Sequence, residues 1–198
     1  MFAVRIHGRG GQGAVTAAEL LSVAAFDEGR HAQAFPTFGS ERTGAPVVSF
    51  CRIDDRPIRL REPITDPDAL IVQDPTLLHQ VNLFAGLRPD GFLVLNTSRT
   101  LPDLGHEDLV RRLTPEHAVT VPATEIAREH LGRPLPNAAL LGAFSALTGQ
   151  VSLGAVCDAI RDRFPGEVGA GNARAATVAH EHVRTSLEKM AGGRVAGA

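Results

Sequence analysis

Cysteine, lysine and long apolar runs are all scarce in this 198-residue chain, and each scarcity excludes something. Only Cys51 and Cys157 carry thiols, too few for an iron–sulfur cluster held by four thiolates of this chain or for an all-cysteine zinc site. Each thiol is expected to sit reduced in a core, Cys51 in the strand-like VVSFCRI and Cys157 in the helix-like LGAVCDAI. Lys189 is the single lysine, and the remaining basic residues are arginine. The 20 Lys and Arg stand against 22 Asp and Glu, a net charge of −2, so no global basic field draws nucleic acid to the surface. No apolar stretch reaches the roughly 20 residues that span a bilayer. The apolar start, residues 2–6, is short and broken by Arg5, unlike a secretory leader, so the expected location is the cytoplasm, away from membranes.

Motifs of hydrolysis and metal binding are missing as well. Ser49 and Ser152 stand outside any Gly-x-Ser-x-Gly pattern. His180 and His182 form a His-x-His pair, but on a helix they point about 200° apart, which suits solvated side chains better than metal ligands. No catalytic residue and no metal ligand is expected on this chain.

What remains is an ordinary globular composition, 43% apolar and 21% charged, long enough for one domain with a sizeable core. Strand patterns occupy residues 2–6, 47–53, 69–73, 92–95 and 118–121, with a weaker one at 31–35. Helical patterns occupy 12–28, 75–84, 107–113, 124–131, 138–147, 152–163 and 172–190. Asp74-Pro75 has the form of a cap followed by proline at the first helical position. Asp54-Asp55, between VVSFCRI and RPIRL, suggests a hairpin. Alternating strands and helices predict an α/β fold: a single Rossmann-like domain with a mainly parallel but mixed sheet, helices on both faces and a helix-rich C-terminal part. The domain is expected over residues 1–190, with 191–198, the low-complexity end, as a flexible tail.

Function concentrates in HGRGGQG, residues 7–13, where Gly8, Gly10 and Gly13 satisfy G-x-G-x-x-G after a strand and before a helix. Bare backbone there can bring N–H groups against phosphate oxygens, and the helix start adds partial positive charge. A dinucleotide site also needs an acid at the end of the second strand, about 20 positions on. The second strand reads HAQAFPTFG, and the nearest acids, Asp27 and Glu28, precede it. The loop therefore points to a phosphate ligand other than NAD or FAD, with a purely structural tight turn as the alternative. A second dense stretch, AFPTFGSERTGAPV, carries Glu41 and Arg42. Either they form a solvated ion pair, or Arg42 reaches an anionic ligand or partner.

Taken together, GRGGQGAVTAAELL and AFPTFGSERTGAPV closely resemble the gamma subunit of the pyruvate (2-oxoacid):ferredoxin oxidoreductases. The likeness continues through RIDDRPI, VQDPTLL, DGFLVLNTS and VPATEIAREHLGRPLPNAALLGA to a late Asn172. The form FPxFGxER is similar to the pyruvate branch, although Ser40 and Thr43 depart from the usual residues. The resemblance implies a share in one reaction: a 2-oxoacid and coenzyme A give an acyl-CoA and carbon dioxide, with electrons passed to ferredoxin or a similar acceptor. It implies alpha, beta and delta-type companion subunits, or fusions of them, carrying thiamine diphosphate, magnesium and [4Fe-4S] clusters, while this chain helps to bind coenzyme A. On that reading Gly8, Gly10, Gly11, Gln12 and Gly13 line the ligand, Arg42 adds charge, and Asn96, Thr97 and Ser98 follow at a strand's carboxyl end. A purely structural subunit and a free-standing NAD-dependent dehydrogenase are the alternatives.

Overall fold

The computed structural model describes residues 1–37 and 43–195, without the side chains of Val110 and of residues 193–195. Six strands, β1 (Phe2–Arg9), β2 (His31–Pro36), β3 (Pro46–Asp54), β4 (Ala69–Val72), β5 (Phe92–Asn96) and β6 (Ala118–Val121), form one sheet in the order β2-β3-β1-β4-β5-β6. β1, β4, β5 and β6 run parallel, while β3 is antiparallel to both β1 and β2. The central strand β1 is buried on both faces over most of its length, as a strand covered on both sides must be.

Among the described residues six helices accompany the sheet: α1 (Ala14–Asp27), α2 (Glu107–Arg112), α3 (Ala123–Leu131), α4 (Asn137–Thr148), α5 (Leu153–Arg163) and α6 (Gly166–Val195). The two faces are covered unequally. One face receives α1 and α4, backed by α5 and α6, around a core that contains Val4, Ile6, Leu21, Ile71 and Phe144. α4 lies between sheet and α6 and is buried nearly all round, which is why its sequence NAALLGAFSALT shows no polar stripe. Its Gly142 is required by that packing: a Cβ there would come 1.9 Å from the carbonyl oxygen of Ala176 in α6. Among the described residues the other face carries α2, three short 3-10 turns and irregular chain, closing over Leu70, Val72, Leu93 and Leu95.

α1 and α4 are parallel. At one end Gly13 meets Asn137; at the other, Arg30 donates to the side chain of Gln150 at 3.0 Å and the amide of Ser152 donates to Glu28. Both helices therefore present their N-termini at the carboxyl edge of the parallel strands.

The expected mixed sheet is present, but the antiparallel partner of β3 is not RPIRL. Residues 57–62 form no strand, because the carbonyls of Leu60 and Glu62 turn to the guanidinium of the buried Arg52. The helix expected over 75–84 shrinks to a 3-10 turn, Pro75–His79, capped by Asp74 as the Asp-Pro pair suggested. Beyond it the carbonyls of Leu83 and Ala85 accept from Arg5 and so leave any helical ladder. α6 runs to Val195, five residues into the stretch expected as a tail; the remaining three lie outside the described residues. Among the described residues no helix is long and apolar enough to cross a membrane.

Candidate functional site

β1 ends at Arg9, and Gly10 to Gly13 carry the chain into α1. Gly11 at φ 93° and Gly13 at φ 75° occupy the left-handed region, which side chains other than glycine rarely adopt. Gly8 is needed for a different reason, since a Cβ there would stand 2.8 Å from Oε1 of Gln73. Gly10 ties the loop to the chain leading into β3, donating to the carbonyl of Ala45 at 2.9 Å and accepting from the amide of Gly44 at 3.1 Å. Among the described residues no side chain caps α1, so its first turn keeps N–H groups and a partial positive charge for an external anion. A cavity of about 270 Å3 opens there, lined by Arg9, Gly10, Gly11, Gly13, Ala14 and Val15 and bordered by Val47 of β3.

The loop is braced from below by Asp74, just past the end of β4. Its Oδ2 accepts from Gln12 Nε2 at 2.7 Å and from Arg9 Nε at 3.1 Å, while Oδ1 accepts from the amide and hydroxyl of Thr76. Gln12 Oε1 in turn accepts the Arg9 amide at 2.8 Å. Burial acts to raise the Asp74 carboxyl, but the hydrogen bonds from Thr76 and Gln12, together with the Arg9 charge, outweigh it and hold it below the usual carboxylate value. Both polar ends of the Gln12 side chain are thus engaged within the loop's own support, and Arg9 is neutralised by an ion pair.

Beneath the loop lies a polar floor at the carboxyl ends of β1, β4 and β5. Gln73 is 1% exposed, and neither its Nε2 nor its Oε1 has a partner among the described residues. Asn96 joins β4, β5 and the start of α3: its Nδ2 donates to the Gln73 carbonyl and to Thr124 Oγ1, and its Oδ1 accepts the Thr124 amide. Thr97 caps its own turn by accepting from the Arg99 amide, and Ser98 opens on a separate cavity beside Met190. The structure therefore brings Asn96 to the floor of the glycine loop and leaves Thr97 and Ser98 away from the cavity. Arg42 lies outside the described residues. Gln73 and Asn137 were not singled out from sequence, although VQDP and NAALLGA carried them, and Asp74 was read only as a helix cap.

The other polar candidates have structural partners. Ser49 donates to the Ala14 carbonyl at 2.6 Å and Ser152 caps α5. Both cysteines are free and buried, and burial pushes Cys51 up to about 12. Among the described residues no group of three His, Cys, Asp or Glu is placed to hold a metal.

The family described as Pyruvate ferredoxin/flavodoxin oxidoreductase matches residues 3–182. The Pyruvate synthase subunit PorC of Methanothermobacter marburgensis is 47% identical over 94% of this chain and 99% of its own. The Pyruvate/ketoisovalerate oxidoreductases common subunit gamma of Pyrococcus abyssi is 50% identical over 91% of this chain and 96% of its own. Among solved structures, pyruvate oxidoreductase subunit PORC of Thermotoga maritima superposes with a TM-score of 0.75 at 39% identity, covering 91% of this chain and 95% of that one.

Proposed function

The chain belongs to the pyruvate ferredoxin/flavodoxin oxidoreductase family as a gamma-type subunit of such an enzyme, and on that premise we propose that it positions coenzyme A at the glycine loop. The oxidised substrate is a 2-oxoacid, pyruvate first among them. The partners are alpha, beta and delta-type subunits, or fusions of them, in a cytoplasmic complex that passes electrons to ferredoxin or a similar acceptor. The [4Fe-4S] clusters belong to those partners, since this chain has only two cysteines, each buried singly in its core, and thiamine diphosphate and magnesium are assigned to the partners with them. Its own contribution is proximity: a held thioester-forming ligand meets the partner's acyl group without an acid or base from this chain.

One observation carries this reading. The uncapped N-terminus of α1, reached through Gly11 and Gly13, opens on a cavity at the carboxyl end of β1, bordered by Val47 of β3, and glycine turns into helix N-termini at the carboxyl ends of strands are where open α/β sheets hold phosphates. A dinucleotide fits less well. In the dinucleotide fold the second strand lies beside the first, and its terminal acid binds the ribose; here β3 separates β1 from β2, whose sequence HAQAFP has no acid. Coenzyme A carries a phosphorylated ribose, which such an acid would repel.

Gly11→Glu tests the reading. Among the described residues a Cβ at Gly11 meets nothing within 4 Å, so the variant strains the left-handed turn at φ 93° and places a carboxylate at the cavity while leaving the core intact. In the purified complex the KM for coenzyme A should rise about tenfold or more, equivalent to about 1.4 kcal/mol, with assembly unchanged by size-exclusion chromatography. An unchanged KM in an intact complex would refute the proposal.

A further inference from the structure

A second cavity, of about 440 Å3, opens where α3 ends and where α4 and α6 begin. It touches the glycine loop through one residue. Asn137, the first residue of α4, lies so close to Gly13 that a Cβ on that glycine would stand 2.6 Å from Asn137 Nδ2. Asn137 is 8% exposed and lines this cavity, and its side-chain amide makes no hydrogen bond among the described residues. The side chain borders open space on this side, where its free amide can hydrogen-bond to a ligand.

The charge around that space favours an anion. α4 follows Pro136 and has no capping side chain, so its first-turn N–H groups point outward with the positive end of the helix dipole. The first turn of α6 borders the same cavity through Glu167 and Val168. Arg133 and Arg174 stand on the exposed rim with His130, and the one carboxylate there, Glu167, approaches Arg174 only at 4.0 Å while remaining almost fully exposed. Two guanidiniums, one loosely engaged carboxylate, an uncapped helix start and an unpartnered amide make a receptor for a phosphate group.

We infer that this cavity is a second phosphate subsite, which binds the ribose phosphate monoester of the ligand whose pyrophosphate lies at the glycine loop. The inference rests on the coenzyme A reading above and adds what that reading lacks, the residues that distinguish a phosphorylated ribose from a plain one. Asn137 stands between the two subsites and donates to the monoester, and Arg133 and Arg174 neutralise it.

The test compares coenzyme A with 3′-dephospho-coenzyme A as substrates of the purified complex. The wild type should show a lower KM for coenzyme A, and the double variant Arg133→Ala/Arg174→Ala should raise that KM about tenfold while leaving the dephospho form unchanged, so that discrimination disappears. Arg133→Lys/Arg174→Lys, which keeps surface charge for assembly, should retain part of it. Asn137→Asp separates binding from structure: a carboxylate in the first turn favours α4, so thermal stability should hold or rise while the KM for coenzyme A increases. Equal KM values for the two substrates in the wild type, or a double variant that shifts both alike or neither, overturn the inference. Gly11→Glu should raise both KM values together; a Gly11 variant without effect, beside an arginine pair that still abolishes discrimination, would remove the loop reading and leave this subsite standing.

Discussion

Gln12 Nε2 donates to Asp74 Oδ2 at 2.7 Å, joining the glycine loop to the end of β4 across 62 positions of sequence. The same oxygen accepts from Arg9, so one carboxylate grips both sides of the loop. If the glycine loop holds coenzyme A as proposed, Asp74→Ala should raise the KM for coenzyme A several-fold with kcat little changed, since it loosens that loop and touches no reacting atom. A fall in kcat at constant KM would contradict this role.

The acid limb of stability follows from the same residue. The Asp74 carboxyl titrates below its ordinary value in the folded chain, so the stabilisation it provides is complete above about pH 4, the unfolded value, and is lost as pH falls through the lower folded one. The stability difference between wild type and Asp74→Asn should be flat from pH 7 to about 5 and shrink only below about pH 4. Denaturation midpoints across that range measure it.

His7 acts in a different window. Burial, and then the charge of Arg5, lower it from 6.5 to about 4, and its Nε2 is buried without a partner among the described residues. The unfolded chain binds the proton more readily, so stability is full above pH 6.5 and declines as pH falls toward 4, by about 3 kcal/mol in all. His7→Gln should flatten that slope. A slope identical to the wild type's would mean that another group governs it.

Packing around two glycines gives a further pair of outcomes. Gly142→Ala forces α4 and α6 apart, because the obstacle is the Ala176 backbone, and should destabilise by about 3 kcal/mol. Gly8→Ala meets the end of the Gln73 side chain at 2.8 Å and, less closely, Ala14 Cβ at 3.3 Å and Gln12 Oε1 at 3.4 Å, and should cost about 1 kcal/mol, part of it recovered in a Gln73→Ser background. Chemical denaturation of the single and double variants decides, and strict additivity at Gly8 and Gln73 would count against the contact.

Local pattern carried much of this architecture. The residues 118–121 read as a strand are β6 as observed, and the helix after HGRGGQG is α1, begun two positions later than expected because Gly13 in the left-handed conformation belongs to the turn. Failures fell where side chains from distant strands capture backbone carbonyls. Nothing within RPIRL or within residues 75–84 announces that Arg52 and Arg5 will take their carbonyls. The site divided similarly. Gly8 to Gly13 form a contiguous motif and could be read directly, whereas Gln73 and Asn137 matter because parallel strands and helices bring their ends together. Asn96 was chosen for its place at a strand end, and its bonds to Gln73 and Thr124 show what that place does.

The irregular covering of the second sheet face also says something about time. Arg5 reaches carbonyls at Ile64, Thr65, Leu83 and Ala85, between 59 and 80 positions away. Those bonds can close only after β1 and β4 have paired, so the covering is the last part of the molecule to settle during folding and the first to open afterwards. Amide protons between residues 57 and 87 should exchange with solvent through that partial opening, well ahead of those in β1 and α4, which wait for the whole chain to come apart.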